Sequence, residues 1–392
     1  MGKTVIVSGA RTPFGKFGGS LHSLKAAELG AHAIQATLSR HSLENFQIDG
    51  LIIGNVLQGG QGQMPSRQAS MFAGLSENVT TETINKVCAS GMRSVTLADQ
   101  IIRLGDATTM VAGGMESMSQ APYILESNRW GKRMGHGEVK DLMLHDGLTC
   151  SFTNNHMGVY GNEVAKEYGI KREEQDEWAL RSHQKALEAI ENGKMSEEIA
   201  PVTIKQRKGD DLEITTDEAP RKNTTLAALQ SLPSIFSKDG TITAGNAPGV
   251  NDGAAALLLM NEETAKKQGL APLATIIGHT SLGVAPKDFP ITPGLVITKL
   301  LEKTGKRKED ITLFEINEAF AAVALVSAKI ANLDLEKINV NGGAVALGHP
   351  IGASGTRIIL TLAYELQRRG GGLGIAAICS GGGQGDAIMI EV

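Results

Sequence analysis

The sequence predicts an α/β fold made of two similarly built halves, with a more polar loop domain inserted between them. Three observations carry that expectation. A chain of 392 residues exceeds what one hydrophobic core usually serves, so two or three units are expected. Its 47 glycines, 4% aromatics and 41% hydrophobic residues point to helices packed closely on strands of small and β-branched side chains. A short motif near the start, Ala89-Ser90-Gly91, returns near the end as Ala353-Ser354-Gly355.

The elements follow in chain order. Thr4-Val5-Ile6-Val7 opens as a strand, Leu51-Ile52-Ile53 is a buried strand ending at Gly54-Asn55, and Thr109-Met110-Val111-Ala112 is another, ending at Gly113-Gly114. Between the last two lies a helix. Its apolar residues Met92, Val95, Leu97, Ile101 and Leu104 mostly recur at three- and four-residue steps, and Gly105 stands in a stop position. Residues 120–249 hold most of the charged irregularity, including Lys205-Gln206-Arg207-Lys208-Gly209-Asp210-Asp211. One amphipathic helix there, about 173–191, carries Trp178, Leu180, Leu187 and Ile190, stops at Asn192-Gly193 and is read as scaffold. The last third repeats the first: strand Leu313-Phe314-Glu315-Ile316 ending at Asn317, a helix from about Thr356 to Arg369 closed by Gly370, and strand Ile375-Ala376-Ala377-Ile378.

Asn55 is matched by Asn317 and Gly113-Gly114 by Gly381-Gly382, in the same order and at similar separations as the Ala-Ser-Gly pair. An internal duplication accounts for this, while the general likeness of α/β units is the alternative. The expected division is 1–119 plus 250–271 for the N-terminal half, 120–249 for the loop domain and 272–392 for the C-terminal half.

Bulk properties exclude several function classes. A net charge of −4 and a pI near 6.2 provide no global attraction to nucleic acid or an anionic membrane. Apolar runs such as Ala319 to Val326 and Ala254 to Met260 fall far short of the roughly 20 residues that span a bilayer. The chain begins at once with a strand, without a charged-then-apolar leader, so a cytoplasmic protein is expected. Cys88, Cys150 and Cys379 are odd in number and scattered, which fits neither a disulfide framework nor a metal clip. No metal and no resident cofactor are expected.

Four segments carry chemistry. Cys88, in Lys86-Val87-Cys88-Ala89-Ser90-Gly91, stands at a helix entry, where backbone amides are expected to lower a thiol's pKa from about 8.5 and enrich the attacking thiolate. A small buried core residue is the plainer reading. His349 lies in Gly348-His349-Pro350-Ile351-Gly352, a rigid loop in which an imidazole can activate a cysteine or donate to a developing oxyanion. No Gly-Lys-Ser/Thr follows, so these glycines are not a phosphate loop. Cys379-Ser380-Gly381-Gly382-Gly383 ends a buried strand, where open α/β sheets place ligands, and its glycines bare amides for an oxyanion while Cys379 can shuttle a proton. Asn317-Glu318-Ala319-Phe320 follows another strand, and Asn317 can fix a water.

Together, and in this order, these segments resemble the thiolase family over nearly the whole chain. The resemblance implies a duplicated five-layer α-β-α-β-α fold with a loop domain. It assigns Cys88 as the acylated nucleophile, Cys379 as acid/base, and His349 with a water held by Asn317 as one oxyanion hole. The amides of Cys88 and Gly381 form the other. The implied reaction is reversible Claisen condensation of two acetyl-CoA to acetoacetyl-CoA and CoA, or thiolysis of short 3-ketoacyl-CoA. Coenzyme A is then substrate and product rather than cofactor. A role in fatty acid metabolism and a homotetramer, a dimer of dimers, are also implied.

Coenzyme A contacts carry over onto Leu148, His156, Met157, Arg221, Phe236, Ala244, Gly245, Pro248, Ala319 and Phe320, with Arg221 beside the adenine. Pro248 and Ala228 stand where many members have serines that touch the coenzyme, a departure that bears on affinity and pose. Lys132 and Arg133, near the implied tetramerisation loop, are read as solvated surface. His156-Met157-Gly158 resembles the short-chain members, in which the Met narrows the acyl pocket, although Met is also ordinary core filler.

Competing readings are a broader-chain 3-ketoacyl-CoA thiolase, a β-ketoacyl synthase-like condensing enzyme and a non-catalytic acyl-CoA binder. The synthases use two histidines, or His and Asn, without a second cysteine. A binder would not need Cys88, His349 and Cys379. A redox or metal protein is disfavoured by the absence of close Cys/His ligand spacing.

Overall fold

Strand side chains that alternate between two different cores require a sheet buried on both faces, and this chain supplies them in its central strands. Val5 and Val7 enter one core and Ile6 another, and Leu258 and Met260 part from Leu257 and Leu259 in the same way. Ile375 and Ala377 likewise part from Ala376 and Ile378. The computed structural model describes residues 2–40, 46–206 and 208–392.

The first half comprises β1 (Thr4–Arg11), α1 (Ala26–Ser39), β2 (Gly50–Gly54), α2 (Pro65–Phe72), β3 (Thr80–Ile84), α3 (Ser90–Leu104) and β4 (Thr109–Ser117). A long insertion follows, containing α4 (Met157–Glu167) and α5 (Arg172–Glu191), before β5 (Asn251–Asn261) returns to the sheet. The second half comprises β6 (Ala274–Gly283), α6 (Thr292–Thr304), β7 (Ile311–Ile316), α7 (Ala321–Ala331), α8 (Ser354–Arg368), β8 (Leu373–Ser380) and β9 (Gln384–Glu391).

The strands lie in the order β7-β8-β9-β6-β1-β5-β4-β2-β3. Each half reads outward from the centre as two antiparallel pairings and then a parallel one, β1-β5-β4-β2 against β6-β9-β8-β7. Among the described residues the strands of the two halves pair at Val5 opposite Thr275 and Ile6 opposite Ala274. Helices α1 and α2 cover the outer face of the first sheet, α6 and α7 that of the second, and α3 and α8 fill the space between them. That is the five-layer α-β-α-β-α arrangement.

The repeated Ala-Ser-Gly has a structural cause. The starts of α3 and α8 touch: a Cβ on Gly91 would lie 2.8 Å from the Gly352 carbonyl oxygen and 2.9 Å from the Thr356 nitrogen, and one on Gly355 would lie 2.3 Å from the Met92 nitrogen. Only glycine permits that approach. The Gly113-Gly114 match with Gly381-Gly382 is corrected. Gly113 and Gly114 lie inside β4, whereas Gly381 and Gly382 form the turn after β8. The real counterpart of that turn is the whole insertion, which leaves β4 at Ser117 and re-enters β5 at Asp252, a directly opposed pair.

Two helix expectations need adjustment. In α3 the buried stripe is Met92, Val95, Ala98 and Ile102, and Leu104, the last residue of the helix, is 70% exposed. In α5 only Trp178 of the four expected apolar residues is fully buried. The rest of its inner face is Gln175, Asp176, Ala179, Ser182, His183, Ala186 and Ala189. The Lys205–Asp211 run tips a small hairpin between Val202–Ile204 and Leu212–Ile214, with Arg207 outside the described residues. Lys132 and Arg133 are exposed. Among the described residues no helix is long and apolar enough to cross a membrane.

Candidate active site

The turn from β3 into α3 carries Cys88 and is held under strain. Val87, just before it, has φ 45°, a left-handed conformation that a β-branched residue rarely adopts. Several contacts over-determine it. The Lys86 amide donates to Ser90 Oγ at 2.8 Å, the Val87 amide to Asn85 Oδ1 at 2.9 Å, and Ser90 Oγ to the Val87 carbonyl at 2.6 Å. From the other half, the Ser380 hydroxyl donates to the Lys86 carbonyl and Asp386 pairs with Lys86 Nζ at 2.7 Å. The turn that carries Cys88 is thus gripped by β8, which also carries Cys379, and by β9.

Cys88 is half-buried, and the amides of Gly381 and of Cys88 itself face its sulfur. The expectation of a depressed thiol pKa is corrected. Burial pushes the Cys88 thiol up to about 12 and the Glu116 carboxylate adds to the rise, outweighing those amides. Cys379 ends β8, wholly buried, and burial raises its thiol well above the ordinary value, with charge at Cys88 raising it further. Both sulfurs therefore rest as thiols.

His349 is presented by a loop that turns at Gly348, whose φ of 104° and closeness to the Asn251 side chain exclude a Cβ. The His349 amide donates to Asn251 Oδ1 at 2.9 Å, its Nδ1 lies 2.6 Å from Ser354 Oγ, and its Nε2 lies 3.5 Å from Asn317 Nδ2. Burial and the positive charge of Arg357 push the imidazole down to about 3, so it is neutral. Asn317 follows β7, its amide donating to the Ala377 carbonyl at 2.9 Å, and its buried Oδ1 has no partner among the described residues.

Two buried carboxylates hold these loops. Glu116, near the end of β4, accepts from Asn55 Nδ2 at 2.9 Å and from the amides of Val56, Leu57 and Gly352 at 3.0, 3.1 and 3.0 Å. Burial, opposed by those amides, pushes its carboxyl up to about 7. Glu318 accepts from Trp178 Nε1, Ser182 Oγ, Asn339 Nδ2 and the Val345 amide at 2.9, 2.9, 2.8 and 3.0 Å. Through these bonds α5 braces the segment that carries Asn317.

A mostly apolar cavity of about 340 Å³ has Cys88, His349 and Gly381 on its wall. Leu148, His156, Met157, Arg221, Phe236, Ala244, Pro248, Ala319 and Phe320 line it as well. His156 stacks on Phe236 at 4.3 Å, and Phe320 meets Phe236 edge-on at 6.1 Å. Arg221 also borders a second hollow that Ala228 lines. Gly245 is not on the wall: it is buried, and a Cβ there would strike Leu229 and Leu232. Cys379 shares an apolar cluster with wall residues Met157, Ala319 and Phe320. The wall residues Val87, Met118, Phe289 and Ile351 were not foreseen, nor were Glu116 and Ser354 behind it. Phe289 lies in a short 3-10 helix, Pro286–Ile291, and nothing local marks it. Among the described residues no three His, Cys, Asp or Glu side chains gather into a metal-binding group.

This arrangement can acylate a cysteine whose attacked carbonyl faces two amides, with a second thiol and a neutral imidazole at hand. Comparison with known proteins agrees with it. Residues 4–263 match the thiolase N-terminal domain and residues 270–392 the thiolase C-terminal domain. The acetyl-CoA acetyltransferase of Escherichia coli K12 is 50% identical over 392 residues, covering 100% of this chain and 99% of that protein. A probable acetyl-CoA acyltransferase of Staphylococcus aureus COL is 46% identical over 391 residues, covering 100% and 99%. The crystal structure of the Bacillus anthracis acetyl-CoA acetyltransferase superposes with a TM-score of 0.97 at 45% identity, covering 100% of this chain and 99% of that one. With both halves matched and the cysteine, histidine and asparagine loops brought to one cavity, the chain belongs to the thiolase family.

Proposed function

We propose that this protein is an acetyl-CoA C-acetyltransferase that condenses two acetyl-CoA to acetoacetyl-CoA and CoA, reversibly, through an acetyl group on Cys88. The observation that carries the reading is the convergence of the Cys88 and Gly381 amides on the Cys88 sulfur at the wall of the apolar cavity. Cys88 Sγ attacks the thioester carbonyl, the carbon–sulfur bond to CoA breaks, and the thiol proton ends on the departing CoA sulfur. The two amides hold the oxyanion. Cys379 gives its thiol proton to solvent, and the thiolate then takes a proton from the methyl of a second acetyl-CoA, whose enolate oxygen faces His349 and a water on Asn317. The enolate carbon attacks acetyl-Cys88, and the Cys88 sulfur leaves and regains a proton. A thiol of raised pKa is, once ionised, a strong base suited to so weak a carbon acid.

Coenzyme A is substrate and product here, its arm running along His156, Phe236 and Pro248 towards Arg221 at the second hollow. The short acyl chain is supported by Met157 on the cavity wall beside Phe289. A cytoplasmic homotetramer serving fatty acid metabolism is part of the reading. Trp130 and Met134, 91% and 87% exposed on the insertion, support further burial between subunits. Intact-protein mass after incubation with acetyl-CoA tests the core of it. One acetyl adduct is expected, absent in Cys88→Ala, and an adduct persisting in that variant rejects it.

A further inference from the structure

The Ser354 hydroxyl has one proton and two neighbours that can accept it, His349 Nδ1 at 2.6 Å and the Pro350 carbonyl oxygen at 3.0 Å. The carbonyl is already served. It accepts from the Ala353 amide at 2.9 Å and from the Ser354 amide at 3.0 Å, which fill its two lone pairs. The imidazole nitrogen is the nearer and the more basic acceptor, and among the described residues no other group bonds to it.

We infer that Ser354 is a positioning residue that sets the tautomer of His349: its hydroxyl donates to Nδ1, so the ring's single proton resides on Nε2. That nitrogen lies on the Asn317 side of the site, and His349 borders the cavity. Asn317 agrees with this assignment. Its terminal amide, turned by half a turn, sets Oδ1 opposite Nε2–H and gives that buried oxygen a partner. Nδ2 is then free to donate to a water. Burial and the Arg357 charge keep the ring neutral, so one proton is all it holds.

The consequence is a division of roles within the proposed acetyl transfer, on which this inference rests. A neutral imidazole protonated at Nε2 donates to the thioester oxygen and cannot take the Cys88 proton through that atom. The histidine works as a hydrogen-bond donor, and proton traffic falls to the two cysteines and the CoA sulfur. The same logic explains why the first residue of α8 is a hydroxyl residue. Its side chain is wholly buried beside the ring and has no solvent-facing role.

Long-range 1H–15N correlation of 15N-histidine-labelled protein tests this, with the His349 signals assigned by their loss in His349→Asn. The wild type is expected to show a neutral ring protonated at Nε2. Ser354→Ala is expected to lose that single tautomer and to lower kcat of condensation about 10- to 100-fold with a much smaller change in KM for acetyl-CoA. Ser354→Thr, which keeps the hydroxyl, is expected to retain both. A wild-type ring protonated at Nδ1, or an unchanged tautomer in Ser354→Ala, overturns the inference, and the wild-type result depends on neither variant. If the wild type neither acetylates Cys88 nor turns over acetoacetyl-CoA, the functional reading fails while the tautomer assignment stands.

Discussion

The Glu116 carboxylate accepts a hydrogen bond from the Gly352 amide at 3.0 Å, which ties a strand of the nucleophile's half to the loop that carries His349. Glu116→Gln replaces one acceptor oxygen by an amide nitrogen facing N–H donors. We expect a loss of about 1–3 kcal/mol in stability for the stranded donors, together with a fall in kcat as the loop relaxes. Urea unfolding and thiolysis kinetics on one preparation measure both. A variant as stable and as fast as wild type would show that the bond does not position the loop.

Cys379→Ser should separate acylation from carbon chemistry. Although burial raises the Cys379 thiol above its ordinary value, a thiol still forms its anion far more readily than a serine hydroxyl in the same place. The variant is expected to accept an acetyl group on Cys88 yet lose condensation and the exchange of acetyl-CoA methyl protons with deuterated water, each by at least about 100-fold. Near-normal exchange would reduce Cys379 to a packed residue at the end of its strand.

Met157, half-buried at the start of α4, is expected to limit acyl length. Met157→Ala should raise rates on C6 to C8 3-ketoacyl-CoA relative to acetoacetyl-CoA by about tenfold, the order of a few methylenes gaining a hydrophobic wall. An unchanged chain-length profile removes it from the acyl pocket.

His349 predicts an acid weakness. Its ring is pushed down to about 3 in the folded protein and titrates near 6.5 when unfolded. Between those values the unfolded chain binds a proton that the folded one refuses, so stability falls as the pH drops through that window. The slope from this one group is about 1.4 kcal/mol per pH unit. His183, pushed down to about 4, adds its own slope in wild type and variant alike. His349→Asn should therefore show a shallower acid slope in urea midpoints taken between pH 6 and 4, and equal slopes would refute the assignment.

The four residues proposed for catalysis stood out as candidates because each lies where local rules leave a mark. Cys88 precedes a helix rich in small residues, Asn317 and Cys379 end buried strands, and His349 sits between glycine and proline. The thiolate expectation for Cys88 failed because its environment is assembled from Glu116, Gly381 and the cavity walls, none of them local to it. Glu116, Phe289 and Ser354 escaped notice for the same reason, since their partners or their place on the wall come from distant segments. Sequence matching also misled once: the glycine pairs 113–114 and 381–382 are alike in letters and occupy different parts of the two sheets.

The insertion's point of departure has a wider meaning. In one half of the chain the β4–β5 reversal is a long segment that lines much of the cavity. In the other, the matching β8–β9 reversal stayed three glycines long and supplies the amide that faces the nucleophile. The excursion opens and closes at the single opposed pair Ser117 and Asp252, yet it is tied back to the sheet where Arg11 of β1 pairs with Glu198 and Asp217 and where α5 holds Glu318. A substitution in the excursion can therefore reach the Asn317 segment through Glu318 with no change in the strands themselves.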